Sequence, residues 1–196
     1  MKLDILPIGL YAENTYVLHN KKHVLVIDPG RFASEISGYI GPDETVDGIL
    51  LTHGHEDHTG AADDLADLYH CDVYMHPDDK PLVDPAGARF GYCDPVYTPL
   101  KPLEGDMKVG IFDLNVYHTP GHTAGSVCIR IRGIMFTGDT LFAGDIGRTD
   151  LYSGDEETML KSLQLFKTLP HDLQIFPGHG PSSTIGRELK SNMYLI

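Results

Sequence analysis

Cysteine is scarce in this chain: Cys71, Cys93 and Cys128 are the only three, an odd number at wide spacing. They form neither a disulfide framework nor a Cys-x-x-Cys metal knuckle, and reduced, partly buried thiols are expected. Long apolar runs are missing as well. No stretch approaches the roughly 18 consecutive apolar residues that span a bilayer, and the opening segment is interrupted by Asp4, Pro7 and Gly9. Such an opening is not the apolar core of a secretory signal, so a cytoplasmic protein with no membrane partner is expected. Basic residues are few: 15 Lys and Arg stand against 28 Asp and Glu, a formal charge of −13. A phosphate backbone would be repelled by that surface, so nucleic acid is a disfavoured partner. Bound cations would neutralise part of the charge if some of the acids are ligands. No linker divides the chain and no repeat with a period of about 20–50 residues recurs, so a single domain over residues 1–196 is expected.

With 41% hydrophobic residues the chain has apolar material for a sizeable core, and its pattern is mixed. Short apolar runs ending in Gly, Asp or His alternate with helix-like stretches, which points to an α/β architecture. Strands are expected at 2–8, 14–19, 23–28, 46–52, 72–76, 112–118, 126–132, 134–138 and 173–177. Helices are expected at 33–40, 58–69, 156–169 and 183–192, the third capped by Ser153 or Asp155 and stopped by Pro170. Val24-Leu25-Val26-Ile27 is unbroken and apolar, as in strands covered on both faces, so helices should lie outside the sheet. Between Pro77 and Pro102, Pro81, Pro85, Gly87, Gly91, Pro95 and Pro99 break up polar sequence into a long irregular insertion, a lid or an inert connector.

The specific signal is the stretch Thr52-His53-Gly54-His55-Glu56-Asp57-His58-Thr59-Gly60, with three histidines and two acids in six positions. Where a strand runs out, His53 and His55 point the same way, because side chains repeat every second residue. Both imidazoles can then reach one metal. A helix starting near His58 would place Asp57 and His58 at its N-terminus, free to face a second metal beside the first. Neutral imidazole and carboxylate suit Zn²⁺ and related ions. Further donors stand at the ends of expected strands: His122, Asp139 and His179, each directly after a glycine. Glycine permits tight turns and close approach, so these turns could converge at one sheet edge.

This set resembles the metallo-β-lactamase superfamily over nearly the whole chain. The resemblance implies a four-layer αββα sandwich with metals at one sheet edge. Asp28-Pro29-Gly30, Gly138-Asp139-Thr140-Leu141-Phe142, Gly147-Arg148 and Pro177-Gly178-His179-Gly180-Pro181 with Thr184-Ile185-Gly186 are similar to the glyoxalase II branch, the hydroxyacylglutathione hydrolases. By this likeness His53, His55 and His122 would hold one metal, Asp57, His58 and His179 a second, and Asp139 would bridge them. Two divalent ions are implied, zinc first, with iron or manganese as alternatives. Asp28 would orient a histidine ligand, or serve as a purely structural turn.

Two cations roughly 3.5–4 Å apart can lower the pKa of a water from about 15.7 towards neutrality and polarise a carbonyl. The resulting hydroxide, positioned by Asp57 and Asp139, would be the nucleophile. No Gly-x-Ser-x-Gly elbow offers a rival. The implied substrate is a small-molecule thioester, because a thiolate leaves without much acid help. Arg148 matches a position where a basic residue contacts the thiol; a solvated surface arginine is the competing reading. Only 17 residues follow His179, whereas glutathione-binding members carry a helical extension there, so glutathione is the less expected thiol. The alternative from the same superfamily is a persulfide dioxygenase with one iron on the positions of His53, His122 and Asp139, which Gly147-Arg148-Thr149-Asp150 resembles. Another ester or lactone hydrolase also fits. His19, His23, His70, His76, His118 and His171 have no ligand-like partners in sequence and are expected at the surface or in hydrogen bonds.

Overall fold

A computed structural model describes residues 1–196. The first half of the chain builds one six-stranded sheet: β1 (Lys2–Ile8), β2 (Glu13–Asn20), β3 (His23–Ile27), β4 (Thr45–Leu51), β5 (Val73–Met75) and β6 (Leu100–Pro102), side by side in that order. The second half builds another from β7 (Gly105–Val109), β8 (Phe112–His118), β9 (Val127–Ile131), β10 (Ile134–Gly138), β11 (Gln174–Pro177) and β12 (Ser183–Thr184). Strands β3 to β6 run parallel, as do β10 and β11, so several carboxyl ends meet at one rim.

Why two sheets stack with helices outside is legible in β3. Side chains alternate across a strand. Leu25 and Ile27 join Leu50, Phe112, Leu114, Val127, Ile129 and Phe136 in a core between the sheets. Val24 and Val26 face the other way, onto Ile36 of α1 (Ala33–Ser37), Leu65 of α3 (Ala62–Tyr69) and Leu82 of α4 (Lys80–Val83). A third core packs Met135 and Ile175 against Met159 of α5 (Glu156–Ser162) and Ile185 of α6 (Ile185–Ser191). Helix, sheet, sheet, helix is the αββα order expected from the resemblance.

Some boundaries differ from expectation, each for a physical reason. The helix expected at 58–69 is two: α2 (Glu56–Thr59) and α3, parted at Gly60-Ala61. There the Ala61 N–H donates to Pro29 O at 2.9 Å instead of continuing the helical ladder, because the Asp28-Pro29-Gly30 turn docks at that spot. The helix expected at 156–169 is α-helical to Ser162 and then tightens to a 3₁₀ turn (Leu163–Thr168) before Pro170. Its cap is Asp155, whose carboxylate accepts the Thr158 N–H at 2.7 Å. The helix expected at 183–192 begins at Ile185, with Thr184 as its cap. Strands β6, β7 and β12 were not expected, being short and polar; Pro102 is tolerated because β6 is an edge. The segment between Pro77 and Pro102 opens with a 3₁₀ turn (Pro77–Asp79) and α4 and is irregular only from Asp84 to Pro99. No helix is long and apolar enough to cross a membrane.

Candidate metal centre

The chemistry-bearing residues stand where strands end. Asp28 follows β3; Thr52, His53 and His55 follow β4 and lead into α2, which carries Asp57 and His58. His122 lies in the turn after β8, Asp139 follows β10, and His179 follows β11. Backbone bonds stitch the two sheets at this rim: Val127 N–H donates to Thr52 O at 2.9 Å, and Asn14 N–H to Gly178 O at 2.7 Å. All seven candidate ligands are brought together. His53, His55 and His122 form one group, Asp57, His58 and His179 another, and His53, His58 and Asp139 a third that joins them; within each group one ligand atom per residue lies within 4.8 Å of the others. The glycine before His179 is demanded by space: a Cβ on Gly178 would stand 2.2 Å from Asp139 Oδ1 and 2.6 Å from His58 Cε1.

Hydrogen bonds on the outer side of each ring determine which nitrogen faces inward. His58 Nδ1 donates to Asp28 Oδ2 at 3.0 Å. The same carboxylate accepts the Thr52 N–H at 2.7 Å and the Thr52 hydroxyl at 2.6 Å. That hydroxyl, its proton committed to Asp28, accepts from His53 Nδ1 at 3.1 Å. Asp28 thus orients two imidazoles, one through Thr52. It does so from a left-handed backbone conformation (φ 48°), strain of the kind functional sites retain. His122 Nδ1 donates to Arg148 O at 2.7 Å and His179 Nδ1 to Tyr11 O at 3.1 Å.

Inward, three of the candidate ligand atoms lack protein partners. His53 Nε2, His58 Nε2 and Asp139 Oδ1 are buried with no hydrogen bond. Asp139 lies 3.5 Å from His58 Nε2, 3.5 Å from His122 Nε2 and 3.6 Å from His179 Nε2. His55 Nδ1 and His122 Nε2 face each other at 2.9 Å, a distance two lone pairs tolerate only around a proton or a cation. Orphaned buried polar atoms are expensive unless a bound group satisfies them, and a set of imidazoles and carboxylates at this spacing fits divalent metal. The electrostatics agree. Burial, reinforced by the neighbouring imidazoles, holds His53 well below the usual histidine range and His55 down at about 3, so both imidazoles are neutral. For His58, burial is outweighed by Asp139, Asp28 and Glu13, which push it well up. For His179 burial is likewise outweighed, chiefly by Asp57 and Asp139, and that residue is raised. For Asp57 the balance reverses: burial alone would raise it, but His179 and His58 hold it low.

The sequence matches the family profile described as the metallo-beta-lactamase superfamily over residues 8–179. The chain belongs to the metallo-β-lactamase superfamily. A probable metallo-hydrolase of Bacillus subtilis, YqgX, is 35% identical, the match covering 100% of this chain and 98% of that protein. The hydroxyacylglutathione hydrolase GloC of Haemophilus influenzae is 36% identical, covering 100% and 98%. Among solved structures, the BLEG-1 B3 metallo-beta-lactamase superposes with a TM-score of 0.89 at 35% identity, covering 99% of each chain. TTHA1623, crystallised in a di-iron-bound form, gives 0.86 at 33%, covering 98% of this chain and 100% of that one. Superfamily membership makes the chain a metallo-hydrolase relative, with a His and Asp cluster of the kind that binds divalent metal.

The cluster floors a cavity of about 440 Å³ walled by Tyr11, Tyr92, Phe142, Ile146 and Leu151. Arg148 borders it, and its guanidinium is engaged by Asp150, Nε to Oδ1 at 2.7 Å and Nη2 to Oδ2 at 2.8 Å. The irregular segment supplies Tyr92 as one wall: Phe90 stacks on Tyr152 at 3.7 Å between ring centroids, and Tyr92 O accepts the Glu56 N–H at 2.8 Å. Of the two readings of that segment, lid or connector, this contact favours a fixed wall. Sequence reasoning missed three supporting residues. Thr52 is described above. Glu13 is fully buried, with one oxygen 3.9 Å from His58 Nδ1, and burial raises its carboxyl well above the usual range. Asp79 accepts Gly54 N–H at 2.9 Å, Gly125 N–H at 2.6 Å and the Thr123 hydroxyl at 2.7 Å, tying the His53-Gly54-His55 strand end to the His122 turn. Nothing local distinguishes Asp79 from its neighbour Asp78.

Proposed function

We propose that this protein hydrolyses a small-molecule thioester of the hydroxyacyl type with a pair of divalent metals, zinc first, held by the seven clustered side chains. The observation that carries the reading is the convergence of three orphaned buried donor atoms with four more ligands beneath an apolar-walled cavity. His53, His55 and His122 would hold one ion, Asp57, His58 and His179 the other, and Asp139 would stand between. When bound, such a pair supplies Lewis acidity towards a carbonyl and lowers the pKa of a coordinated water towards about 7. The protein supplies the rest. Asp28, Thr52, Arg148 O and Tyr11 O lock the ring orientations so that no donor must turn at the moment of reaction. Asp57 and Asp139 present carboxylate oxygens at the floor, where they accept a water proton and orient its oxygen. Tyr11, Tyr92, Phe142, Ile146 and Leu151 give the cavity apolar walls against which a substrate's acyl or thiol part can pack. A thiolate leaves without much help from a general acid.

The thioester assignment is supported by the likeness to the Haemophilus hydroxyacylglutathione hydrolase. A second reading, β-lactam hydrolysis, is favoured by the likeness to BLEG-1. Hydrolysis of a panel of acyl thioesters, lactones and β-lactams separates them, run with metal analysis of the protein as isolated. Turnover of a thioester that chelation abolishes supports the proposal; turnover of β-lactams alone replaces it with the second reading. One iron per chain and oxidation of a persulfide would replace both with dioxygenase chemistry.

A further inference from the structure

A second group of metal-type donors stands outside the central cluster and shares no residue with it: His76, Asp78 and His118. His76 follows β5 of the first sheet and His118 ends β8 of the second, so the group bridges the sheets. The two imidazoles lie face to face, ring centroids 4.0 Å apart and planes inclined by 17°. Asp78 Oδ2 is 3.8 Å from His76 Nδ1 and 3.8 Å from His118 Nε2. One carboxylate oxygen is thus equidistant from both rings yet beyond hydrogen-bond reach of either. Ligand bonds of about 2.0–2.1 Å in a tetrahedral shell place neighbouring donor atoms roughly 3.3–3.4 Å apart, so the two carboxylate gaps need to close by about half an ångström, and the exposed His118 ring must swing out of the stack so that both in-plane lone pairs converge on one ion. The Asp78 side chain is exposed, with no hydrogen bond of its own to break, and Glu104 adds a further negative charge near His76.

The geometry points to a separate, weaker metal site at His76, Asp78 and His118, taking a borderline first-row ion such as Zn²⁺, Ni²⁺ or Cu²⁺. Two imidazoles and one carboxylate suit those ions and leave positions for water. Two existing bonds oppose it: His118 Nε2 donates to Ala124 O at 2.7 Å, and Asp78 N–H donates to His76 Nδ1 at 3.3 Å. Giving these up, together with ordering two exposed side chains, places its affinity below that of the central cluster. Because Ala124 belongs to the turn that carries His122, filling this site also loosens a support of the central one.

The test is metal stoichiometry after equilibrium dialysis against zinc in the micromolar range, with the wild type, Asp78→Asn and His118→Ala compared and thermal melts confirming that each is folded. The wild type should hold one more equivalent than either variant. Loss of a single donor should weaken that equivalent by at least the roughly 10–100-fold that loss of an outer contact costs. With Cu²⁺ as the probe, the extra equivalent should show imidazole-nitrogen hyperfine coupling in electron paramagnetic resonance, lost in His118→Ala. An extra equivalent that persists undiminished in both folded variants, or a wild type that takes up none, overturns the site. Neither readout depends on which substrate the central cluster turns over.

Discussion

Removing the Asp79 carboxylate should loosen the centre without touching any ligand. Asp79→Ala leaves the Gly54 and Gly125 N–H groups buried without an acceptor, whereas the Thr123 hydroxyl keeps Ser126 Oγ at 2.7 Å. Each orphaned buried donor costs about 1–3 kcal/mol. Part of that is offset, because burial outweighs the three hydrogen bonds and raises the Asp79 carboxyl above its ordinary range, so ionising it inside the protein is itself unfavourable. Two such donors, partly offset, give a net loss of about 2–4 kcal/mol. At about 2–4 °C per kcal/mol for a chain of this size, the melting temperature should fall by roughly 4–16 °C. Turnover should fall further, since Gly54 lies between two proposed ligands and a misplacement of about 1 Å can cost roughly 100-fold. Asp79→Asn, which keeps an acceptor, should fall in between. The sign with pH also follows. A raised folded-state pKa means that the native state holds the proton more tightly, so this residue's contribution to stability declines as pH rises through the carboxylate range and is constant above it. Asp79→Asn should remove that decline. Circular dichroism melts across pH, with metal content measured alongside, decide the matter. If Asp79→Ala melts within about 2 °C of the wild type and retains its metals, the residue is no clamp.

Gly178→Ala should keep the fold but lose metal, because the added methyl falls on Asp139 and His58; metal content after dialysis should drop while far-ultraviolet dichroism is unchanged. Chelation should lower the melting temperature steeply: a ligand at about a thousand times its Kd contributes about 4 kcal/mol per site, roughly 8–16 °C here, and zinc should restore it. Cys71 and Cys128 are pushed up to about 11 and Cys93 to about 12, chiefly by burial. At pH 8 all three are therefore protonated thiols, and iodoacetamide should modify the native protein far more slowly than the urea-unfolded chain; rapid labelling of Cys93 would show that its loop opens.

How far each residue could be read from the sequence depended on whether its signal was local. The unbroken apolar run in β3, the cap at Asp155, the stop at Pro170 and the dense His53 to His58 cluster all follow from side chains a few residues apart. Strand ends followed by Gly-His or Gly-Asp were legible as turns with donor residues. That His122, Asp139 and His179 reach the same place as His53 is a consequence of two sheets stacking with their carboxyl ends at one rim, which apolar alternation made possible and packing made definite. Only the tertiary structure decided the roles of Glu13, Thr52 and Asp79, whose importance arises from burial beside groups tens of positions away: His58 for Glu13, the Asp28 carboxylate for Thr52, and the Gly54 and Gly125 N–H groups for Asp79. It also decided the break between α2 and α3, where Pro29 O captures the Ala61 N–H. The pairing of Arg148 with Asp150 and the meeting of His76 with His118 are of the same kind: the sequence supplies the chemistry of each side chain, but a partner in space is chosen by how the strands are packed.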